Sequence, residues 1–583
     1  MHAAPAPRTS RALALGVAVV AFAAQLPAAF PAAFIWDDVP LLLASDLYTS
    51  PERWVESLGV PLGMETRYWR PLATTSFLLE TALHDGSAAG YRVTAALLHA
   101  ASAGLAFVLL RRLLASAGAA FLAACAWALH PANVEAVTWI SGRFDLLCGL
   151  FVLAALTAAH GPSAASRTGR WLVGGAAAAA LLSKESGVVL PLLLLLWLMA
   201  LDGSGRPRPK GGAADGRSGD WRAVVREHRR TLGAALLGLA AVAVARVERL
   251  GFLFGTSESS VTEAGGVLAH ALLVGRAAAA YVGALVVPWW GASPAHHGVR
   301  PIPSDDLLGW SGLALLAAGC TAILLLWRRD RRTACLLAAF GVALAPVLQI
   351  VPLDVAGGLH AADRLLYVPS FLLVAAVSGG LLRLAPSAAP ARRGLAAAAA
   401  VLVLALGAGR LALLPHWSSA DRFWAWAVRE APQSPITLAN RVDVLLGSGW
   451  PGDAGVDEAE RLARRLRGLD PEFRYGHALL EILLIRGQVA EAARVAAEAL
   501  TVRGEDPDYL VLAGRIAVET GRFDDAVDFY GRAVEASRRD AATRLHSRLA
   551  EALGGLAEAR LLAGGDRLDA VETLRRALPH VAR

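Results

Sequence analysis

Apolar runs of about twenty residues recur through the first 415 positions of this chain, and that is the length an α-helix needs to cross a bilayer. No other feature narrows the fold as far: a backbone in lipid must satisfy its hydrogen bonds internally, so each run specifies a helix. The composition agrees, with 55% of 583 residues hydrophobic, 18% charged and a mean hydropathy of +0.47. Spans are expected at roughly 11–30, 91–114, 117–135, 145–160, 171–183, 187–201, 231–250, 309–327, 333–352, 363–383 and 393–414, about eleven crossings.

The net charge of +7 does not point to nucleic acid, because the basic residues sit in short connections, as the positive-inside bias predicts. Arg8 and Arg11, Arg111 and Arg112, Arg167 and Arg170, Arg206 to Arg230, Arg328 to Arg332, and Arg392 and Arg393 mark the inner side. The outer side then holds 31–90, 131–144, the Ser183 to Ser186 turn, 250–308, 353–362 and everything after about 415. Parity allows the cluster at 328–332 to be inside only if 264–290 crosses an even number of times or not at all. With Arg276 and Pro288 inside it, that segment is expected to be re-entrant or to lie along the surface. The first run reads as an uncleaved signal anchor. Cys125, Cys148, Cys320 and Cys335 lie in or near apolar runs with no metal-type spacing, which supports neither a disulfide framework nor a zinc site.

Three regions follow: a membrane domain over 1–415, with a first outer loop at 31–90 and a flexible Gly, Arg and Pro-rich inner linker at 202–230; a joint at 416–434; and a soluble helical tail at 435–583. The tail repeats. Pro435, Pro471 and Pro507 recur every thirty-six residues, Gly487 to Ala492 recurs as Gly521 to Ala526 after thirty-four, and Ala459, Ala492 and Ala526 occupy matching places. A turn glycine, a small residue where helices approach and a closing proline at this period form the tetratricopeptide pattern, with units at 436–471, 472–507 and 508–541 and a capping pair at 542–580. The fold class is therefore all-α, a polytopic membrane bundle followed by a tetratricopeptide-repeat α-solenoid.

The polar residues of the outer loops and adjoining span ends make a short set: Asp37, Asp38, Arg70, His130, Glu135, Arg143, Asp145, Lys184, Glu185, Asp363 and Arg364. All fall on one membrane face under a topology drawn from other residues. Arg70, Arg143, Lys184 and Arg364 suit a phosphate, the guanidinium groups by paired donors and the lysine as a point charge. Asp37 or Asp38 suits a general base, or a ligand of a divalent ion such as Mg or Mn. His130, Glu135, Asp145, Glu185 and Asp363 would support them. An anionic lipid head group, a base and a long outer loop describe a transferase acting on a lipid phosphate.

The segments Phe34 to Asp38, Tyr68 to Leu72, His130 to Leu147, Ser183 to Ser186 and Ala362 to Ser370, in this order and with the repeat tail, resemble the signatures of the transmembrane and tetratricopeptide repeat (TMTC-like) protein O-mannosyltransferase family. The chain departs from that pattern at Asn133, Phe144 and Trp69, and its tail is short. The resemblance implies a GT-C type glycosyltransferase fold and transfer of mannose or another hexose from a polyprenyl-phosphate donor to a Ser or Thr hydroxyl of an exported protein. It maps the catalytic acidic pair onto Asp37 and Asp38. Two alternatives keep the same residues in view: a same-fold transferase acting on a lipid, glycan or cell-wall polymer, and a non-catalytic membrane-anchored tetratricopeptide scaffold. The expected partners are the lipid-linked donor, membrane lipids, and a protein or polymer acceptor held by the repeats. The Ala-, Leu- and Arg-rich composition suggests a bacterial inner membrane, with the tail in the periplasm.

Overall fold

The computed structural model describes residues 7–43, 46–62, 68–114, 116–160, 166–202, 221–251, 265–288, 296–297, 302–350, 359–385, 388–447, 453–539 and 545–564, and positions 164, 570 and 573. Two compact units emerge. The first comprises Met1–Leu42, Asp46–Leu62 and Arg67–Phe423, the second Leu43–Ser45, Gly63–Thr66 and Trp424–Arg583.

In the first unit the helices are α1 (Pro7–Gln25), α2 (Trp54–Ser57), α3 (Pro71–His84), α4 (Ala88–Leu113), α5 (Ala117–Ala128), α6 (Val134–Thr138), α7 (Arg143–Ala158) and α8 (Arg167–Ser183). They continue with α9 (Leu190–Asp202), α10 (Trp221–Leu250), α11 (Val267–Val286), α12 (Leu307–Arg329), α13 (Arg331–Leu344), α14 (Tyr367–Leu384) and α15 (Ala389–Leu413). A two-stranded antiparallel ladder joins His296–His297 to Leu359–Ala361. Ser87, Ser116 and Ser166 cap α4, α5 and α8 by accepting from backbone N–H groups, which satisfies donors that a helix start leaves open.

Nine helical stretches among the described residues are long and apolar enough to cross a bilayer, and a tenth if Ala117–Ala128 and Pro131–Thr138, bent by 54°, form one broken span. The chain is a multi-pass membrane protein. Two of the eleven expected spans fall short: 171–183 lies in α8, of 17 residues, and 333–352 yields α13, of 14, followed by a 3-10 turn at Ala345–Val347. Within 264–290, expected to be re-entrant or to lie along the surface, α11 is a continuous 20-residue helix that is long and apolar enough to cross. Arg276, which argued against a span, is neutralised by Asp306 through contacts of 2.8 and 2.6 Å, and Pro288 lies just past the helix end. The backbones of α11 and α12 meet directly: a Cβ on Gly312 would stand 1.7 Å from the Gly275 carbonyl oxygen, the close approach that small residues permit between membrane helices. Residues 203–220 of the expected linker lie outside the described residues, and 221–230 form the first turns of α10.

The core of this unit runs through α4, α5, α7, α9, α13 and α14, with Trp127, Trp197, Tyr367 and Phe371 fully enclosed. Polar atoms within it pair across helices: His99 Nδ1 is 2.8 Å from the Tyr367 hydroxyl and its Nε2 is 3.0 Å from the Ala128 carbonyl, while Trp127 Nε1 donates to Ser370 Oγ at 3.0 Å. Such bonds fix helix register where an unpaired polar group would be expensive.

In the second unit α16 (Ala420–Glu430), which straddles the boundary, leads into α17 (Pro435–Gly447), α18 (Asp453–Leu469), α19 (His477–Ile485), α20 (Val489–Val502), α21 (Pro507–Glu519), α22 (Phe523–Arg539) and α23 (Leu545–Leu562). From α17 onward each helix packs on the next, and α17 on α19, α19 on α21 and α21 on α23 as well. The turns after α19 and α21 carry Gly487 and Gly521 at φ of 70° and 72°, where a side chain would be strained. Ala459, Ala492 and Ala526 are all 0% exposed, and Tyr509 ties α21 to the loop between α18 and α19 by donating to the Phe473 carbonyl at 2.6 Å.

Candidate active site

The chain leaves α1 through a 3-10 turn at Leu26–Ala29 and then makes a tight turn over Ile35, Trp36, Asp37 and Asp38. Asp38 N donates to Ile35 O at 3.2 Å, and Ile35 N donates to Asp38 Oδ2 at 3.0 Å. Trp36 sits at φ 59°, a left-handed conformation costing roughly 1–2 kcal/mol for an ordinary side chain. Its ring stacks on Trp139 at 5.2 Å, and Trp139 Nε1 donates to the Ile35 carbonyl at 3.0 Å. Ser141 completes the clasp, its N at 2.8 Å and its hydroxyl at 2.6 Å both donating to Asp38 Oδ1.

The two aspartates therefore part company. Asp38 is 0% exposed, with three donors on its carboxylate. Burial outweighs those donors and pushes its pKa up to about 7. Asp37, at the turn apex, is half-buried and acts electrostatically on Arg364.

The stretch that clasps this turn also positions the basic side. Glu135, in α6, accepts from the Arg364 backbone N at 2.9 Å and pairs with the Arg364 guanidinium. That guanidinium lies 4.9 Å from the Trp139 ring centroid and 5.9 Å from that of Trp36, and Glu135, Asp145 and Asp37 all act on its charge. Gly142 permits the path between α6 and α7: a Cβ there would stand 2.7 Å from the Ala136 carbonyl oxygen and 2.9 Å from that of Glu135.

Lys184, between α8 and the 3-10 turn Glu185–Val189, donates to both Asp145 carboxylate oxygens at 2.6 Å. Burial lowers its pKa; Asp145 opposes the shift, and Arg70 and Arg364 reinforce it. Arg70 lies between the rings of Tyr68 and Phe144, at 4.3 and 4.6 Å, and donates to Glu185 at 2.8 and 3.1 Å. Arg246, reaching over from α10, approaches the other Glu185 oxygen at 3.4 Å. Asp37 thus acts on Arg364, and Arg364 and Arg70 in turn act on Lys184. A cleft is lined by Asp145, Cys148, Val152, Ser186, Leu193, Ala343, Tyr367 and Val368.

Arg143 is placed elsewhere. It is fully buried, with its guanidinium on Glu80 of α3 and 3.0 Å from the Tyr91 carbonyl. His130 braces the backbone: its Nδ1 accepts from Ala132 N at 3.2 Å, which leaves the proton on Nε2 for the Leu285 carbonyl at 3.1 Å. Asp363 acts electrostatically on both Glu135 and His130. Sequence reasoning missed Glu80, Arg92, Trp139, Ser141 and Arg246. A lone charge in an apolar stretch of helix, as at Glu80 and Arg92, is the signal that could have found two of them. Among the described residues no group of three or more His, Cys, Asp or Glu side chains converges to hold a metal. Both Asp38 oxygens already accept hydrogen bonds, Oδ2 from Ile35 N and Oδ1 from Ser141.

No family model matches the chain. Among curated proteins, the protein O-mannosyl-transferase Tmtc2 of Drosophila melanogaster is 34% identical over 181 residues, 28% of this chain and 19% of that protein. The human protein O-mannosyl-transferase TMTC2 is 37% identical over 128 residues, 21% of this chain and 15% of that one. The Drosophila Tmtc1 is 33% identical over 134 residues, covering 22% and 16%. Part of this chain is similar to the protein O-mannosyl-transferases. It spans about a fifth or less of the length of these curated relatives. Among solved structures, ArnT from Cupriavidus metallidurans bound to undecaprenyl phosphate matches at 16% identity and a TM-score of 0.37, over 84% of this chain and 80% of that one.

Proposed function

We propose that this chain is a GT-C type membrane glycosyltransferase that moves a hexose, mannose being the first candidate, from a polyprenyl-phosphate donor to a Ser or Thr hydroxyl of an exported protein. The observation that supports it is the chain of charges from Asp37 to Arg364 and from Arg364 and Arg70 to Lys184, whose ion-pair partner Asp145 lines a cleft. The donor phosphate docks where Lys184 pairs with Asp145, at the lining of the cleft. The carboxylates on the three cations hold them in place before the donor arrives, so little reorganisation remains at the reaction.

Asp37 is the base in this reading. It takes the acceptor hydroxyl proton as the hydroxyl oxygen bonds to the anomeric carbon, the bond from that carbon to the phosphate oxygen breaks, and the leaving phosphate keeps the electron pair beside Arg364, Lys184 and Arg70. A single displacement inverts the anomeric centre. Asp38, fully engaged by its donors, is no base here, and Arg143 serves the packing of α3, α4 and α7. The helix stack from α17 onward is read as a tetratricopeptide solenoid that holds the acceptor, on the outer, periplasmic side of a bacterial inner membrane. The thirty-four-residue recurrence of its glycine turns supports this.

Intact-mass comparison of exported proteins and surface polymers, from cells carrying the wild-type chain, Asp37→Asn or no copy, tests the reading. Protein-linked hexose should vanish in the last two. Loss of a polymer-linked sugar instead would reassign the acceptor, and identical profiles in all three would end the proposal.

A further inference from the structure

The Ile35 to Asp38 turn is fastened from outside by two side chains that the proposed chemistry does not use. Ser141 gives Asp38 Oδ1 two donors, at 2.8 and 2.6 Å. Arg92, 1% exposed in α4, spans the approach to the turn: Nη1 donates to the Ala28 carbonyl and Nη2 to the Ala33 carbonyl, each at 2.8 Å. Its charge also acts on Asp38 from inside the bundle. A buried guanidinium committed to two carbonyls five residues apart is a brace, because the planar fork matches both acceptors at once and a lysine could not.

What the brace holds is not a relaxed segment. Trp36 lies at φ 59°, a conformation that bulky residues keep only where their neighbours over-determine it and that concentrates at functional sites. The fixed points at Ala28, Ala33 and Asp38 lie to either side of Trp36 and Asp37, so the Asp37 carboxylate takes its place from them.

We propose that Arg92 and Ser141 are positioning residues for the transfer, holding the segment from Ala28 to Asp38 so that the Asp37 carboxylate faces Arg364. This rests on the reading of Asp37 as the base. A base displaced by an ångström loses on the order of a hundredfold in rate, whereas the donor is bound by groups on other elements. The signature is therefore a fall in kcat with little change in KM.

The test uses the full chain in detergent, with a polyprenyl-phosphate-linked mannose as donor and a Ser- and Thr-containing peptide as acceptor. Ser141→Ala and Arg92→Gln, each normalised to the monodisperse folded fraction, should lower kcat at least tenfold and leave the donor KM within about twofold. Ser141→Thr, which keeps the hydroxyl, should stay within about threefold of wild type, since the hydroxyl bond is retained. Hydrogen exchange at the Ile35 and Asp38 amides should speed up in the Ala and Gln variants. The inference is overturned if those two variants keep kcat within twofold, if KM rises at constant kcat, or if Ser141→Thr loses as much as Ser141→Ala. A wild-type chain inactive with every lipid-linked hexose would sink the functional reading. The exchange data then decide by themselves whether Arg92 and Ser141 hold the turn.

Discussion

Lys184 and Asp145 form a two-pronged ion pair, the ammonium 2.6 Å from both carboxylate oxygens, with side chains only 12% and 8% exposed. Their residues come from separate helices, Asp145 near the start of α7 and Lys184 just past the end of α8. The pair therefore joins two helix ends at the head of the cleft. Breaking a buried pair leaves one charge without compensation, which costs about 3–5 kcal/mol, whereas replacing both partners by apolar groups is far milder. Lys184→Met and Asp145→Leu should each lower the thermal midpoint in detergent more than the double variant does. If the single losses simply add, the two charges are not coupled as the geometry implies.

Asp38 links stability to pH. Burial raises its carboxyl from the ordinary 3.8 to about 7, so between those values the folded chain keeps a proton that the unfolded chain has released. The unfolded state then binds fewer protons, and this group's contribution to stability falls as pH rises from about 4 to about 7, by at most about 1.4 kcal/mol per pH unit, and levels off above. Asp38→Asn should flatten that segment of the curve. Unfolding midpoints of both proteins across pH 4.5 to 8 check the sign; a wild-type midpoint that climbs with pH while the variant stays flat would contradict it.

Gly142 stands where the backbone passes from α6 to α7, and a Cβ there would press on the carbonyl oxygens of Ala136 and Glu135 at 2.7 and 2.9 Å. Both obstacles are backbone, so neither can swing aside as a flexible side chain would. Gly142→Ala should cost about 1–3 kcal/mol and should shift Glu135, and with it Arg364. The expected outcome is a lower midpoint together with a raised donor KM, since Arg364 is a phosphate group in the proposed site. A variant with wild-type stability and KM would show that α6 gives way locally.

Much of this was legible in the sequence, and the part that was not has a physical reason. The apolar runs announced the helices, and the charged residues at their ends announced most of the cluster, because charge beside lipid is expensive without a use. The count of spans slipped where hydropathy could not see helix length: the runs at 171–183 and 333–352 give helices of 17 and 14 residues, and Arg276 hides a full-length helix because its counter-charge, Asp306, lies thirty residues on. Asp37 and Asp38 could not be told apart, since their difference is made by Ser141, 103 positions away from Asp38. The same limit applied to Arg143. Its position at the start of α7 suggested the phosphate site, but its direction is set by Glu80, in a helix inside the stretch 31–90 that reads as a loop.

That displaced arginine yields the last prediction. Arg143 and Glu80 have side chains 0% and 5% exposed and meet through two contacts, and the Arg143 guanidinium also lies 5.6 Å from the Phe77 ring. In the proposed reading Arg143 acts through the fold rather than on the donor. Arg143→Met should cost about 3–5 kcal/mol by stranding the Glu80 charge, and Arg143→Met with Glu80→Gln should recover part of it. In the folded fraction the donor KM should match wild type, in contrast to Arg364→Met and Arg70→Met, for which KM should rise about tenfold or more as a charge-assisted contact is lost. A donor titration of the four proteins checks the distinction. A KM that rises in Arg143→Met as in the other two would return Arg143 to the phosphate.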